Sequence, residues 1–382
     1  MIENKHNRLS PAYGFDDISI APGSFTINPD QTQTTFTVGT HQLGIPIIAS
    51  AMDAIVSTSF AVDLGNLGGL AVLNLEGVIS RYPNPQEAIN RIINSKPEEV
   101  IPIFQDIYSH PITNNLIGDR ISEIKSKGVT CAVSVTPANT KRLSPLAIEA
   151  GADILCVQST VTTARHESKS IKGLVFSEFL KTINVPVIVG NCVSYETTLE
   201  LMETGIDGIL VGVGPGAACT TREVTGVGVP QVTATLDCSS ARDEFHRRTG
   251  KYVPIITDGG IRNGGDLCKA IASGADAVMI GTPFAQSTEA PGGGYNWGMA
   301  SPHPALPRGT RIEVGVKASL EQILFGPSSI TNGTMNLVGA LKACMGMVGA
   351  YTIQDMHRAN LVLAPSIKTE GKHLQRSGYG AP

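Results

Sequence analysis

The sequence predicts an α/β fold, a single-domain (β/α)8 TIM barrel with a mobile flap and tail. Eight short apolar runs recur along the chain, and most are rich in Val, Ile or Ala without an alternating polar face. Such runs are typical of strands buried on both faces of a parallel sheet. Helical patterns separate most of them, and this succession favours a closed barrel. A doubly wound sheet is the alternative architecture, but it would need fewer strands and no closure.

The predicted strands follow the apolar runs, at residues 46–49, 70–73, 130–135, 154–157, 185–189, 208–211, 253–256 and 277–280. Helical patterns lie between them, for example at residues 119–127, 195–203 and 265–273. Each of these three leads into a Lys-Gly or Gly-x-Asp phrase, which ends the helix before the next strand begins. A further helical pattern at residues 333–347 is predicted to complete the barrel wall.

The repeat sets the expected boundaries. Residues 1–43 are rich in turn formers and are predicted to form an N-terminal arm rather than a core element. Residues 44–364 form the predicted catalytic barrel, and residues 365–382 form a polar, basic C-terminal tail.

Two segments inside the barrel do not fit the repeat. Residues 76–117 are longer than a strand–helix connection should be and carry their own helical stretch at 85–94. Residues 288–309 form a glycine- and proline-rich loop after the eighth strand. Because that position is the catalytic rim of a barrel, the sequence favours a mobile flap there over disorder.

Composition restricts the class of protein. The chain has 382 residues, of which 42% are hydrophobic and 16% charged, as expected for a buried globular core. A net charge of −4 gives no electrostatic footprint for nucleic acid or an acidic membrane. No stretch resembles a signal peptide or a membrane span. Seven cysteines without CxxC pairs indicate neither a disulfide framework nor a zinc site, so we expect a cytoplasmic protein.

A glycine-rich stretch from Gly212 to Gly228, GVGPGAACTTREVTGVG, follows the sixth predicted strand and contains Cys219. A thiol on such a turn lies where an α/β enzyme would hold a nucleophile. Arg222 or a nearby helix N-terminus could favour the thiolate, and Thr221 could act as a proton shuttle at the same reacting carbon. The alternatives are a buried, inert cysteine and an ordinary loop threonine.

The loops after the seventh and eighth strands resemble a phosphate site. Asp258 is followed by two glycines, and Gly281 and Thr282 follow the last strand. In barrels, backbone N–H groups of these two loops commonly receive a phosphate, and Asp258 is placed to accept hydrogen bonds from ribose hydroxyls. The alternative is a simple turn with Asp258 as a helix cap.

Polar residues also follow the first and fifth strands. These are Ser50 in the run Ser-Ala-Met-Asp and Asn191 in the run Gly-Asn-Cys. Both lie at a rim that would otherwise be apolar. On their own they are weak indicators, because many such residues only satisfy loop backbone.

With these pieces in order, the chain resembles the IMP dehydrogenase and GMP reductase family from about Tyr13 to Gly298. The matching motifs occur in family order: FDDISIAPG, GIPIIASAMD, LGGLAVLNLEG, VIVGNCVS, VGVGPGAACTTREVTGVGVPQ, ITDGGIRNGGD and MIGTPFAQSTEAPG. The resemblance implies a barrel, generally tetrameric, that binds a purine nucleoside monophosphate and a nicotinamide cofactor at its C-terminal rim.

The resemblance also implies roles for individual residues. Cys219 corresponds to the nucleophile that adds to C2 of the purine, and Thr221 to the threonine that handles the proton of water or ammonia. Asp258 corresponds to the ribose-binding aspartate. The other substrate-binding positions are Ser50, Asn191, Gly260, Gly281, Thr282, Met299 and Ala300, the last two in the flap turn that reads the purine edge.

Further positions correspond to cofactor and cation sites. The cofactor-binding positions are Gln158, Ser159 and Gly212. A monovalent cation such as K⁺ would be held by backbone carbonyls of Gly214, Gly216 and Cys219, with Glu370 completing the site from a neighbouring subunit. The implied cofactor is NADPH or NAD.

Departures from the family pattern bear on the reaction direction. Residues 76–117 are too few to hold the CBS domain pair usual in the dehydrogenases, so the chain resembles the CBS-less branch. The flap sequence NWGMASPHPALPRG lacks the Arg-Tyr pair that activates water in the dehydrogenases. Gln158 and Ser159 stand where an aspartate is usual, and Ala217 replaces a frequent serine.

The missing Arg-Tyr pair and the missing CBS domains favour GMP reductase, which converts GMP and NADPH to IMP, ammonia and NADP. The alternative is IMP dehydrogenase, which converts IMP, NAD and water to XMP and NADH. A third reading is an inactive nucleotide-binding regulator, because Gln158 and Ala217 erode the site. We expect a homotetramer or octamer that binds neither nucleic acid nor membrane.

Overall fold

The computed structural model describes residues 9–167, 173–298 and 310–364. Short elements precede the barrel: strands β1 (Ile18–Ile20), β2 (Phe36–Val38) and β3 (His41–Leu43). Single turns of 3₁₀ helix occur at Phe15–Asp17, Pro29–Gln31, Val78–Ser80, Pro97–Glu99 and Leu180–Thr182.

Eight parallel strands form a closed barrel, which confirms the predicted fold class. They are β4 (Ile47–Ala49), β5 (Leu70–Asn74), β6 (Ala132–Val135), β7 (Ile154–Gln158), β8 (Val187–Cys192), β9 (Gly208–Val211), β10 (Ile255–Asp258) and β11 (Ala277–Ile280). Each strand pairs with the next, and β11 closes the barrel on β4, where Val278 is opposite Ile47. The fifth strand begins later than predicted, at Val187 rather than residue 185, and Pro186 just before it has no N–H to donate to the ladder.

Helices cover the outside of the barrel. They are α1 (Thr58–Asn66), α2 (Pro85–Ile93), α3 (Val100–Ser109), α4 (Asn114–Lys125), α5 (Thr140–Glu149), α6 (Phe176–Phe179), α7 (Tyr195–Glu203), α8 (Thr221–Thr225), α9 (Gln231–Thr249), α10 (Gly264–Ala272), α11 (Thr282–Ala285), α12 (Leu320–Phe325), α13 (Leu337–Val348) and α14 (Ile353–Met356). The last predicted helix starts at Leu337 instead of residue 333, because the Asn336 side chain accepts the N–H of Gly339 and caps it.

Three short strands complete the described chain. Strands β12 (Tyr295–Asn296) and β13 (Ile312–Glu313) pair with each other, antiparallel, on either side of residues 299–309. Strand β14 (Leu361–Leu363) pairs with β1. The predicted flap lies partly, and the predicted tail entirely, outside the described residues.

Part of the predicted N-terminal arm belongs to the core of the barrel. Phe36, Val38 and Leu43 of the β2–β3 hairpin are buried in one apolar cluster with Ile48 and other side chains of the barrel interior. Val38 lies near Gly208, the first residue of β9, so the hairpin fills the amino-terminal end of the barrel. The prediction that residues 1–43 contain no core element is therefore wrong for this hairpin. In the described residues, no helix is long and apolar enough to cross a membrane.

Candidate active site

The predicted site residues lie at the carboxyl ends of the barrel strands. Because all eight strands are parallel, the loops after them meet at one rim of the barrel. Asn191 is next to the last residue of β8, Asp258 ends β10, and Cys219 lies in the loop after β9. The order of strands around the barrel therefore brings together residues far apart in sequence.

Asn191 and Asp258 form a buried hydrogen-bonded pair across the rim. Nδ2 of Asn191 donates to Oδ2 of Asp258 at 2.8 Å. Burial raises the pKa of Asp258 to about 6, and the hydrogen bond from Asn191 opposes that increase. Since this pKa exceeds the unfolded value, ionisation of Asp258 destabilises the folded state as pH rises from about 4 to 6. A carboxylate that is kept at the rim of a barrel, although its ionisation lowers the stability of the fold, is typical of a functional site.

The Cys219 thiol is exposed, unlike most cysteines of the described chain. Its Sγ donates to Oγ1 of Thr221 at 3.3 Å, and its backbone N–H donates to the carbonyl of Gly216 at 3.1 Å. Thr221 is itself buried and is the first residue of the short helix α8. The alternative of a buried thiol therefore does not apply to Cys219. Its hydrogen-bond partner Thr221 is a hydroxyl that can relay a proton.

Arg222 holds the two ends of the Cys219 loop together. Its Nε donates to the Val213 carbonyl at 2.9 Å, and its Nη2 donates to the Val229 carbonyl at 2.6 Å. A Cβ on Gly214 or Gly228 would lie within 2.7 Å of this side chain, so both positions need glycine to let Arg222 pass. Burial lowers the pKa of Arg222, and interaction with a Cys219 thiolate opposes that decrease. Arg222 therefore shapes the loop that carries Cys219.

Gln231, at the start of α9, was not predicted as a site residue. Its buried Nε2 donates to the carbonyls of Val211 at 3.0 Å and Asp258 at 2.8 Å, which ties the ends of β9 and β10 together. A Cβ on Gly212 would lie 2.5 Å from the Asp258 carbonyl, so glycine is required there for this close approach. The packing of Gly212 against strand ends explains this glycine without a cofactor, and cofactor binding at Gly212 stays a prediction.

The glycines of the predicted phosphate loops lie against the Cys219 loop and the residues that follow β4. Gly260 has a φ of +79°, a conformation that favours glycine, and Pro215 lies 3.1 Å from where a Cβ of Gly259 would be. Gly281 immediately precedes Thr282, the first residue of α11. The backbone N–H of Ser50 donates to the Ile280 carbonyl at 3.0 Å, which places Ser50 beside this loop.

The remaining predicted positions differ in how well their geometry suits a ligand. Gln158 is buried at the end of β7, opposite Gly190 of β8. The Ser159 hydroxyl donates to the Val161 carbonyl at 2.8 Å, so it organises its own loop. The Gly216 carbonyl accepts the Cys219 N–H but keeps a second lone pair, which fits a shared role in cation binding. Met299, Ala300 and Glu370 lie outside the described residues.

A family model named IMP dehydrogenase / GMP reductase domain matches residues 12–372. The chain belongs to the IMP dehydrogenase and GMP reductase family. It is an oxidoreductase of that family, whose members act on purine nucleoside monophosphates with nicotinamide cofactors.

Relatives of known sequence or structure share most of the chain. An uncharacterised oxidoreductase of Mycolicibacterium smegmatis is 38% identical, over 92% of this chain and 96% of that protein. The inosine-5'-monophosphate dehydrogenase of Cryptosporidium parvum is 31% identical, over 90% of this chain and 89% of that enzyme. A crystal structure of an IMP dehydrogenase/GMP reductase-like protein from Corynebacterium glutamicum is 35% identical, covers 95% of this chain and 97% of its own, and superposes with a TM-score of 0.89.

Proposed function

We propose that this protein oxidises or reduces C2 of a purine nucleoside monophosphate through a covalent bond between that carbon and Sγ of Cys219. The observation that carries the proposal is the exposed Cys219 thiol, hydrogen-bonded to Thr221 in a loop that packs on Gly259. Asp258 is the last residue of β10, directly before Gly259. Attack by a thiolate turns one difficult displacement at C2 into two easier steps.

The nucleotide would be held by the loops around this thiol. Asp258, oriented by Asn191 and by the hydrogen bond from Gln231 to its carbonyl, would accept hydrogen bonds from the ribose. The predicted phosphate positions are Gly260, Gly281 and Thr282, with Ser50 beside them. In the flap, Met299 and Ala300 are the proposed positions that read the purine edge. Gln158 and Ser159 are the proposed positions on the cofactor side.

We propose IMP oxidation as the reaction. Sγ of Cys219 adds to C2 of IMP, and the hydride on that carbon passes to NAD, which supplies the oxidising capacity of the reaction. Water then attacks C2, and Thr221 relays a proton: it accepts the proton of the water and gives its own hydroxyl proton to Sγ of Cys219. The C2–Sγ bond breaks and releases XMP and the thiol, and the proton that the thiol lost before its attack on C2 is the one the reaction releases. The balanced reaction consumes IMP, NAD and water and forms XMP, NADH and a proton.

The relatives named for an activity favour this direction. The Cryptosporidium parvum enzyme and another relative 31% identical, from Borreliella burgdorferi, are inosine-5'-monophosphate dehydrogenases. The chain covers 89% and 92% of them, so they are close to it in length and the short 76–117 segment does not separate the two activities. GMP reductase, with NADPH as reductant and ammonia as product, is the second candidate, because the flap lacks the Arg-Tyr pair.

Several accompanying properties are proposed with the reaction. We propose a barrel at residues 44–364 with an N-terminal arm, a flap at 288–309 and a tail at 365–382. A monovalent cation such as K⁺ would bind the carbonyls of Gly214, Gly216 and Cys219, with Glu370 of a neighbouring subunit. We further propose a cytoplasmic homotetramer or octamer.

The change in absorbance of the reduced nicotinamide shows whether the protein oxidises IMP or reduces GMP. With IMP and NAD we expect a rise in absorbance, faster in potassium than in sodium buffer. A fall with GMP and NADPH, without that rise, would instead establish GMP reductase. No change with either pair, alongside measurable binding of IMP or GMP, would favour the inactive nucleotide-binding regulator.

Nucleotide affinity is expected to depend on the ionisation of Asp258. Because its pKa is raised to about 6, the carboxylate that accepts ribose hydroxyls is lost as pH falls through that value. Affinity for IMP should fall about tenfold per pH unit below the pKa. In Asn191→Ala the midpoint should move to higher pH, because the hydrogen bond that lowers the pKa is gone. Calorimetric titration between about pH 5 and 8 measures this dependence.

The matched control is Asp258→Asn, which should bind more weakly and lose the contribution of the carboxylate to the transition near pH 6. The phosphate of IMP, whose second pKa is also about 6, accounts for the pH dependence that remains in this control. An unchanged midpoint in Asn191→Ala would show that a group other than Asp258 controls affinity.

A further inference from the structure

We propose that Tyr108 is a positioning residue for the nucleotide site, which it reaches through Trp297. The inference rests on the proposed function, because it concerns the same site. It gives a role to residues 76–117, a segment that the strand–helix repeat of the barrel does not explain. The segment supplies α2 and α3, and these helices contact the chain on both sides of residues 299–309.

A chain of buried hydrogen bonds links α3 to the rim. Nε1 of Trp297 donates to the Tyr108 hydroxyl at 3.0 Å, and this hydroxyl donates to Oδ2 of Asp53 at 2.7 Å. The N–H of Val78 donates to the same carboxylate oxygen at 3.1 Å. The ring of Phe104 packs on the Trp297 ring at 6.0 Å between centroids. Two side chains of the 76–117 segment therefore contact the indole, Tyr108 at its Nε1 and Phe104 at its ring.

The same residues border the predicted phosphate loop. Asp53 follows Met52, whose sulfur lies 3.3 Å from where a Cβ of Gly281 would be. Asn296, which precedes Trp297, has its Nδ2 at 3.9 Å from that point. Displacement of Trp297 would therefore shift Asn296, whose side chain lies near Gly281. On its other side, Trp297 leads directly into Gly298 and the predicted purine-reading turn.

Arg311 makes the corresponding contact after residues 299–309. Its Nη1 donates to the carbonyls of Ile92 and Ile93 at the end of α2, the second at 3.0 Å, and to Oγ of Ser95. Its guanidinium lies 4.8 Å from the centroid of the Tyr295 ring, just before Trp297. Trp297 and Arg311, which lie on either side of residues 299–309 in the sequence, are thus held by the same helical segment. Helices α2 and α3 are a common support for these two residues.

Trp297 is the single tryptophan of the chain, so its fluorescence reports directly on this contact. The test is Tyr108→Phe, which removes the hydroxyl shared by Trp297 and Asp53 and leaves the ring. We expect the emission of the free protein to change and the affinity for IMP to fall roughly 3- to 10-fold, the usual effect of one hydrogen bond. KM should rise by a similar factor while kcat changes less than twofold, because no reacting atom is touched.

The matched control is Tyr82→Phe. Tyr82 is in the same segment, but its hydroxyl donates to the Ile107 carbonyl at 3.3 Å and not to Trp297. That variant should bind IMP like the wild type. A double-mutant cycle of Tyr108→Phe with Trp297→Phe, followed by calorimetry, should show effects on affinity that do not add, since both act through one contact.

The outcomes separate this inference from the proposed function. Equal affinities of wild type and Tyr108→Phe, additive effects in the cycle, or an equal loss in Tyr82→Phe would each overturn it. A wild-type protein that binds neither IMP nor GMP would overturn the proposed function and this inference with it.

Discussion

Replacing Cys219 with alanine is expected to lower turnover by at least about three orders of magnitude, whichever direction the reaction takes, because no other group can form the bond to C2. Nucleotide binding should remain measurable, since the ribose and phosphate positions lie on other loops. Asp258 is on β10, and Gly281 follows β11. Steady-state rates and calorimetric titration with IMP measure the two effects separately.

A covalent intermediate gives a second measurement. Wild-type protein mixed with substrates and quenched in acid should show an added mass that corresponds to the nucleotide, and Cys219→Ala should not. Cys344→Ala is the matched control, because Cys344 is partly accessible but lies on α13, away from the rim. Activity retained by Cys219→Ala, or an adduct that disappears in Cys344→Ala instead, would refute the covalent mechanism.

The barrel was predictable because each strand carries its own signal. A parallel strand buried on both faces reads as an apolar run, and all eight runs are strands in the structure. The β2–β3 hairpin lacks that signal. Only Phe36 and Val38 are buried in β2, with an exposed Thr37 between them, and the surrounding sequence is polar. Its burial depends on filling the barrel end, which is a property of the closed fold and not of the local sequence.

Site positions were predictable only where strand order determines them. Asp258, Asn191 and Cys219 follow parallel strands, so the fold class alone places them at one rim. Gln231 and Tyr108 reach the rim from helices, and no local pattern marks them. Tyr108 lies 189 positions from Trp297 in sequence, and the two meet only through packing of the 76–117 segment.

The glycines of the Cys219 loop show how one pattern can have two causes. The sequence suggested close approach of backbone to a ligand, which remains the expectation at Gly260. In the structure, Gly214 and Gly228 instead make room for the stem of Arg222. A glycine-rich loop therefore indicated the right place for the chemistry, although part of its composition serves the packing of an arginine.

The largest stability effect is expected at the opposite end of the barrel, from Asp276→Asn. Asp276 and Arg242 form a buried ion pair at 3.0 Å, with side chains 2% and 3% exposed. Burial lowers the pKa of Arg242, but the combined effect of Asp276, Tyr252 and Asp243 outweighs it and the pKa is raised. Arg242 also donates to the Gly274 carbonyl at 2.7 Å. Removing the carboxylate charge leaves the guanidinium without its buried counter-ion.

Both oxygens of Asp276 accept hydrogen bonds. Oδ1 accepts the Tyr252 hydroxyl at 2.5 Å, and Oδ2 accepts the N–H of Ile255 at 2.8 Å as well as Arg242. An asparagine would point an NH₂ group at one of these sets of donors, whichever way its amide is turned. The free energy of unfolding should therefore fall by roughly 3–5 kcal/mol, as is usual when one partner of a buried ion pair is removed.

The control substitution is at Asp243, a second carboxylate that pairs with Arg242. Asp243 pairs with the same guanidinium at 2.8 Å, but its side chain is 67% exposed. Because exposed ion pairs contribute little, Asp243→Asn should lower the free energy of unfolding by less than about 1 kcal/mol. Denaturant titrations of the two variants and the wild type compare these values. Equal destabilisation by both substitutions would mean that burial does not set the strength of the Arg242–Asp276 ion pair. A loss of stability confined to Asp276→Asn would identify this ion pair as a structural anchor between α9 and the start of β11.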